Sequence, residues 1–123
     1  MIKEITVKEI DIKAKGSSDE IKRLEQDLIL QAIPPRSFVI LLDEKGENIS
    51  SESFAGKLQQ LLCKKIVFII GGAYGVTPVL RARANLSLSF GKWTWPHMMV
   101  RVLLIEQIYR AQQIHQNHPY HKD

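Results

Sequence analysis

The side chains that could move protons or hold ligands are spaced in ways that exclude several familiar chemistries. The stretch FIIGGAYGVTP, residues 68–78, stops an apolar run at Gly71 and Gly72, with Gly75 close behind. Glycines placed after a strand let a backbone approach a ligand closely. A dinucleotide fingerprint needs Gly-x-Gly-x-x-Gly, and a phosphate loop needs Gly-Lys-Ser/Thr. The Gly-Gly-x-x-Gly found here satisfies neither, which leaves a tight turn or a pocket for some other ligand. His115, His118 and His121 recur at intervals of three. Pro119 interrupts any helix there and no cysteine or carboxylate completes a zinc set, so no metal is expected. Neither a Gly-x-Ser-x-Gly elbow nor an obvious Ser-His-Asp set occurs. Cys63, the single cysteine, reads as a packed thiol at a helix end rather than a nucleophile.

The elements that position these residues must fit in 123 residues, 45% hydrophobic and 24% charged, which suits one globular domain over 1–123. A net charge of +4 favours an anionic partner, of which nucleic acid is the commonest; a solvated positive face is the plainer reading. One cysteine allows no internal disulfide and fits a reducing, cytoplasmic setting. No apolar run approaches eighteen residues, so no membrane span is expected, and the charged start MIKEITVKEIDIK is no signal peptide.

Periodicity orders the chain as β-α-β-α-β-α-β-α. Residues 3–12 alternate with a slip of phase, as in a bulged strand. Ser17 and Glu20 have capping-box spacing for a helix that Pro34 and Pro35 end. SFVILL (37–42) and KIVFII (65–70) are continuous apolar runs, as in strands covered on both faces. DEKGE after the first run reads as a turn, and 51–63 as a helix. Thr77–Pro78 is an N-cap followed by proline at the first helical position. LSLSF (86–90) alternates like a strand, GKWTWP (91–96) is a loop, and a long helix runs over 97–115. The pattern predicts an α/β domain with a mostly parallel sheet and helices on both faces. Ligands of such sheets bind beyond the carboxyl ends of the strands. Leu42, Ile70 with Gly71 and Gly72, and Phe90 with Gly91 mark three such ends, and side by side they would suit an adenosine better than a triphosphate.

The last helix is apolar around most of its circumference, which predicts a dimer interface. Arg101 stands at helical spacing with Ile105 and Ile108, and needs either a carboxylate or a ligand as partner. Glu106 and Arg110 have the spacing of an ordinary helical ion pair.

Taken together, FIIGGAYGV, LSFGKWTWPHMMVRVLLIEQIYRA and NHPYH resemble the RlmH family of SPOUT-class methyltransferases, which methylate N3 of a pseudouridine in bacterial 23S rRNA. The likeness covers 37–123 and is densest over 65–121. It implies a SPOUT-type mostly parallel sheet with a C-terminal trefoil knot, S-adenosylmethionine as methyl donor, and a homodimer packed through the last helix. It implies 23S rRNA, the large ribosomal subunit or the assembled ribosome as substrate. By position it assigns Leu42, Gly72, Gly91, Lys92, Trp93, Thr94, Trp95 and Pro96 to the cofactor, and His97, Arg101, Tyr120 and His121 to the substrate side. His97, Tyr120 and His121 are candidates for taking the N3 proton, and Arg101 for steadying a uracil carbonyl or the RNA backbone. The chain departs from the family pattern in Trp93 and Trp95, where smaller apolar residues are common. A bulkier wall or tighter stacking on adenine would each account for them. It also begins at the strand IKEITVKEI, where members usually carry another strand and helix first. An N-terminally short, non-catalytic RNA-binding relic of the family is therefore the alternative. A tRNA-directed relative and a flavodoxin-type domain fit less well, lacking respectively a reason for Pro-Tyr-His and a phosphate loop.

Overall fold

The computed structural model describes residues 18–61, 65–70, 76–91, 93, 95–116 and 120. In chain order these form α1 (Ser18–Ala32), β1 (Phe38–Glu47), α2 (Ser51–Gln60), β2 (Ile66–Ile70), α3 (Pro78–Arg83), β3 (Leu86–Leu88) and α4 (His97–His115). The expected first strand and the Ser17 cap lie outside the described residues, as does Cys63. The sheet order is β2-β1-β3 and both pairings are parallel.

The apolar run of β1 follows from its central place. Side chains alternate across a strand, so Ile40 and Leu42 enter one core and Val39 and Leu41 enter the other. The first core is closed by Phe54, Ala55 and Leu58 of α2 with Leu104, Ile108 and Ala111 of α4. The second is closed by Leu80 of α3, with Val76 and the partly buried Ile29 and Leu30 of α1. Helices therefore cover both faces, as the sequence pattern requires.

Local signals set the ends of the elements. Ser50 caps α2 by accepting from the Ser53 amide at 3.0 Å, and Thr77 caps α3 by accepting from the Leu80 amide at 3.3 Å, with Pro78 next. Asn85 extends the β1–β3 ladder with its side chain: Oδ1 accepts from the Val39 amide at 2.8 Å, and the Asn85 amide donates to the Val39 carbonyl at 2.8 Å.

The expected turn DEKGE is instead the continuation of β1 to Glu47. The pairing slips between Leu42 and Glu47, so that both stand opposite Leu88, and the Ser89 amide donates to the Glu47 carbonyl at 2.9 Å. Gly46 makes this possible. A Cβ there would lie 2.7 Å from backbone atoms of Leu88 and 2.8 Å from the Ser87 carbonyl carbon, too close for any side chain. The turn-like composition was a sign of close backbone approach rather than of reversal. The other two ends differ by small shifts: the helix read over 51–63 stops at Gln60, and the strand read over 86–90 stops at Leu88. Gly46→Ala should destabilise the fold by about 1–3 kcal/mol, because backbone must move to relieve the overlap. Denaturant unfolding monitored by circular dichroism measures this, and an unchanged midpoint would refute the close approach.

Candidate functional site

The carboxyl ends of β2 and β3 flank Leu42, which lies within β1 before the strand continues to Glu47. Leu42 is in register with Ile70 on one side and Leu88 on the other. Of the three expected ends, Leu42 and Ile70 are adjacent in the sheet, while the third neighbour is Leu88 rather than Phe90 and β1 does not end at Leu42. Leu42 itself is buried, 6% exposed, in the core shared with α2 and α4. Gly71 and Gly72 follow Ile70 in the chain, and Gly72 lies outside the described residues.

The chain leaves β3 through a built turn. Ser89 Oγ donates to the Gly91 carbonyl at 2.7 Å and accepts from the Gly91 amide at 3.0 Å. Gly91 has φ +106, the left-handed region that costs other residues backbone strain, and a Cβ there would meet nothing within 4 Å. Conformation, not space, demands glycine at this point. Ser89 was not among the residues singled out from sequence, since a serine in LSLSF looks like an outward strand position.

Beyond the turn stand two tryptophans. Trp95 is fixed by its indole N–H, which donates to the Phe90 carbonyl at 3.3 Å. Trp93 is 78% exposed, its ring centroid 6.3 Å from that of Trp95 at an interplanar angle of 36°. An aromatic pair this open beside apolar strand ends is suited to stacking on a planar heterocycle. Lys92 and Thr94, before and between the tryptophans, lie outside the described residues. Pro96 then opens α4 as its N-cap, with its carbonyl accepting from the Met99 and Val100 amides at 2.9 and 3.1 Å. The first turn of α4 holds no acidic residue. The strand ends, the glycine turn, the tryptophans and the amino end of α4 are thus consecutive parts of one edge of the domain.

Of the residues assigned to the substrate side, His97 is the first residue of α4. Arg101 is half-buried one turn later, between the exposed Ile105 and the buried Ile108. His121 lies outside the described residues. Tyr120 is described, and its contacts are not those of a free base. Its hydroxyl donates to Glu106 Oε1 at 3.1 Å, its ring lies 4.9 Å from the Arg110 guanidinium carbon, and its edge meets the Tyr109 ring at 4.9 Å and 85°. The hydrogen bond to the Glu106 carboxylate raises the Tyr120 pKa above its ordinary value, and the same carboxylate raises that of Arg110. The Glu106–Arg110 ion pair expected from helical spacing is present, with Arg110 Nη2 2.8 Å from Oε1. The attachment of Tyr120 to it was invisible in the sequence, because fourteen residues separate the two partners. Among the described residues no group of three or more His, Cys, Asp or Glu could hold a metal, and no helix is long and apolar enough to cross a membrane.

Comparison with known proteins follows the same lines. Residues 1–121 match the family model described as "Predicted SPOUT methyltransferase". A protein of Rhodospirillum centenum named "Ribosomal RNA large subunit methyltransferase H" is 48% identical over 121 residues, covering 96% of this chain and 80% of that protein. Proteins of the same name from Paramagnetospirillum magneticum and Gluconacetobacter diazotrophicus are each 44% identical, over 94% and 89% of this chain and 78% and 74% of their own lengths.

Two outcomes test this geometry. Gly91→Ala should cost about 1–2 kcal/mol in thermal or denaturant unfolding, the strain of a positive φ. A cost near zero would mean the turn is not held as described. The raised Tyr120 pKa makes its docking fully present below about pH 10, the unfolded value, and lost as pH rises through the higher folded value. Phenolate absorbance should therefore show one of the three tyrosines ionising late. Tyr120→Phe should remove that late component.

Proposed function

Because the chain belongs to the SPOUT methyltransferase family, we propose that it transfers a methyl group from S-adenosylmethionine to N3 of a pseudouridine in 23S rRNA of the large ribosomal subunit, in the cytoplasm. The observation that supports this most is the alignment of Leu42, Ile70 and Leu88 at one sheet edge, running directly into the Gly91 turn and the Trp93–Trp95 pair.

S-adenosylmethionine, when bound, supplies an electrophilic methyl group on a sulfonium. The chain's own residues supply position and proton handling. Leu42, its side chain in the core, would contribute backbone at the sheet edge. Gly91 turns the chain across the strand ends, and Pro96 directs it into α4. Trp93 and Trp95 would offer aromatic surface to the adenine. Gly72, Lys92 and Thr94 complete the cofactor set through their places in the sequence. On the substrate side the uracil N3 proton must leave as the N–CH₃ bond forms. The imidazoles of His97 and His121 are the proposed acceptors, since histidine titrates near neutrality. Tyr120, held protonated by Glu106, is assigned to docking and hydrogen-bond donation instead. Arg101 steadies a uracil carbonyl or a phosphate.

The helix that opens at this edge also supports the dimer. Met98, Val102, Ile105 and Tyr109 recur at i, i+4, i+7 and i+11 and are all exposed, while Leu104, Ile108 and Ala111 face the core. A second copy packed on the exposed stripe would bury it and bring two amino ends of α4 into one assembly.

Calorimetric titration with S-adenosylmethionine, paired with transfer of labelled methyl groups to unmodified large subunits or whole ribosomes, tests the reading. Binding and stoichiometric labelling of one pseudouridine are expected. Binding of RNA without transfer would instead favour a non-catalytic RNA-binding protein. Val102→Glu should shift the mass in solution from dimer to monomer and lower transfer with it.

A further inference from the structure

Leu42 and Glu47 both stand opposite Leu88, so the residues between them, Asp43 to Gly46, take no place in the β1–β3 register. An ordinary bulge inserts a single residue. This longer excursion is polar, and its side chains belong to neither core. Ordering it costs conformational entropy with no apolar burial in return. It is nevertheless tied down at both ends. At its start, Asp43 Oδ2 accepts from Arg81 Nε at 2.9 Å; the Asp43 side chain is 9% exposed and that of Arg81 38%. At its end, Gly46 lies so close to the Leu88 backbone that a Cβ would stand 2.7 Å from it, and the Glu47 carbonyl accepts from the Ser89 amide at 2.9 Å. Ser89 Oγ then holds the Gly91 turn through its bonds to the Gly91 carbonyl and amide.

A carboxylate this far from water needs its cation, since removing one partner strands the other charge. The cation comes from α3, which packs on the opposite face of the sheet from α4. Contacts therefore run without a gap from α3 through Asp43, Gly46 and Glu47 to Ser89 and Gly91, where the chain turns towards α4. Stability comes from the two apolar cores, and the product of the excursion is a fixed Ser89. We propose that the extension of β1 beyond Leu42 is a brace for the Gly91 turn, and that Asp43 and Arg81 are positioning residues that anchor this brace to α3 and so set the shape of the donor site. Neither side chain touches the reacting atoms in this account. The consequence for the methyl donor rests on the methyltransferase reading, whereas the brace itself does not.

The test compares wild type with Asp43→Ala, Arg81→Lys and the double variant Asp43→Ala with Arg81→Met. Amide hydrogen exchange followed by NMR reads the brace directly, at the Ser89 and Gly91 amides. The Phe38 amide, bonded to the Lys65 carbonyl, and the Asn85 amide, bonded to the Val39 carbonyl, report the far end of the sheet as controls. Calorimetric titration with S-adenosylmethionine reads the consequence. Asp43→Ala should speed exchange at Ser89 and Gly91 roughly tenfold and leave the controls unchanged. Its donor dissociation constant should rise roughly tenfold as well. Arg81→Lys keeps a cation for the carboxylate and should recover most of both. The double variant should be no worse than Asp43→Ala, because the shared contact is already gone. Unchanged exchange at Ser89 and Gly91 in Asp43→Ala would overturn the brace. Faster exchange at all four amides alike would also overturn it, making the pair a general prop of the fold. Faster local exchange with unchanged donor affinity would overturn the role at the donor site. Wild type that binds no donor would overturn the functional reading, while the exchange rates would still decide the brace.

Discussion

The structure depends on burying β1 from both sides. Four successive residues, Val39 to Leu42, are each at most 6% exposed, and they alternate between two cores that share no helix. A strand so placed must be central, must pair on both edges, and must have crossovers that lay helices on each face. Once β1 is central, β2 and β3 are its neighbours by necessity, and their carboxyl ends are brought beside Leu42.

The departures from regular geometry lie at the same edge. β1 slips its pairing after Leu42, Gly46 presses against Leu88, and Gly91 takes a positive φ held by Ser89. Arg81 reaches from α3 to Asp43, just past Leu42, at 2.9 Å. The core of the sheet is regular where it supplies stability. It becomes irregular past Leu42 and Leu88, where the pairing slips and the chain leaves β3 through the Gly91 turn.

Helix α4 carries two duties on opposite sides. Leu104, Ile108 and Ala111 close a core against α2. Met98, Val102, Ile105 and Tyr109 remain exposed. Between these stripes lie the polar residues: Arg101 along one boundary, and Glu106 and Arg110 along the other with Tyr120 attached. A helix apolar all round in the sequence is thus two apolar stripes, one packed in the core and one exposed.

The sequence by itself determined the elements, because periodicity, caps and apolar runs are local. The two-faced burial of residues 37–42, the Thr77–Pro78 start and the limits of α4 were all legible that way, and motif likeness identified the family. Only the tertiary structure decided which distant residues meet. Gly46 looked like part of a turn until Leu88 was beside it. Ser89 looked like an outward strand position until its hydroxyl closed on Gly91. Glu106 and Tyr120, fourteen residues apart across a helix end, share a hydrogen bond that no spacing rule encodes. Local patterns reflect the conformational preferences of neighbouring residues. Close approach and long-range pairing are set by how whole elements pack, which short windows of sequence do not record.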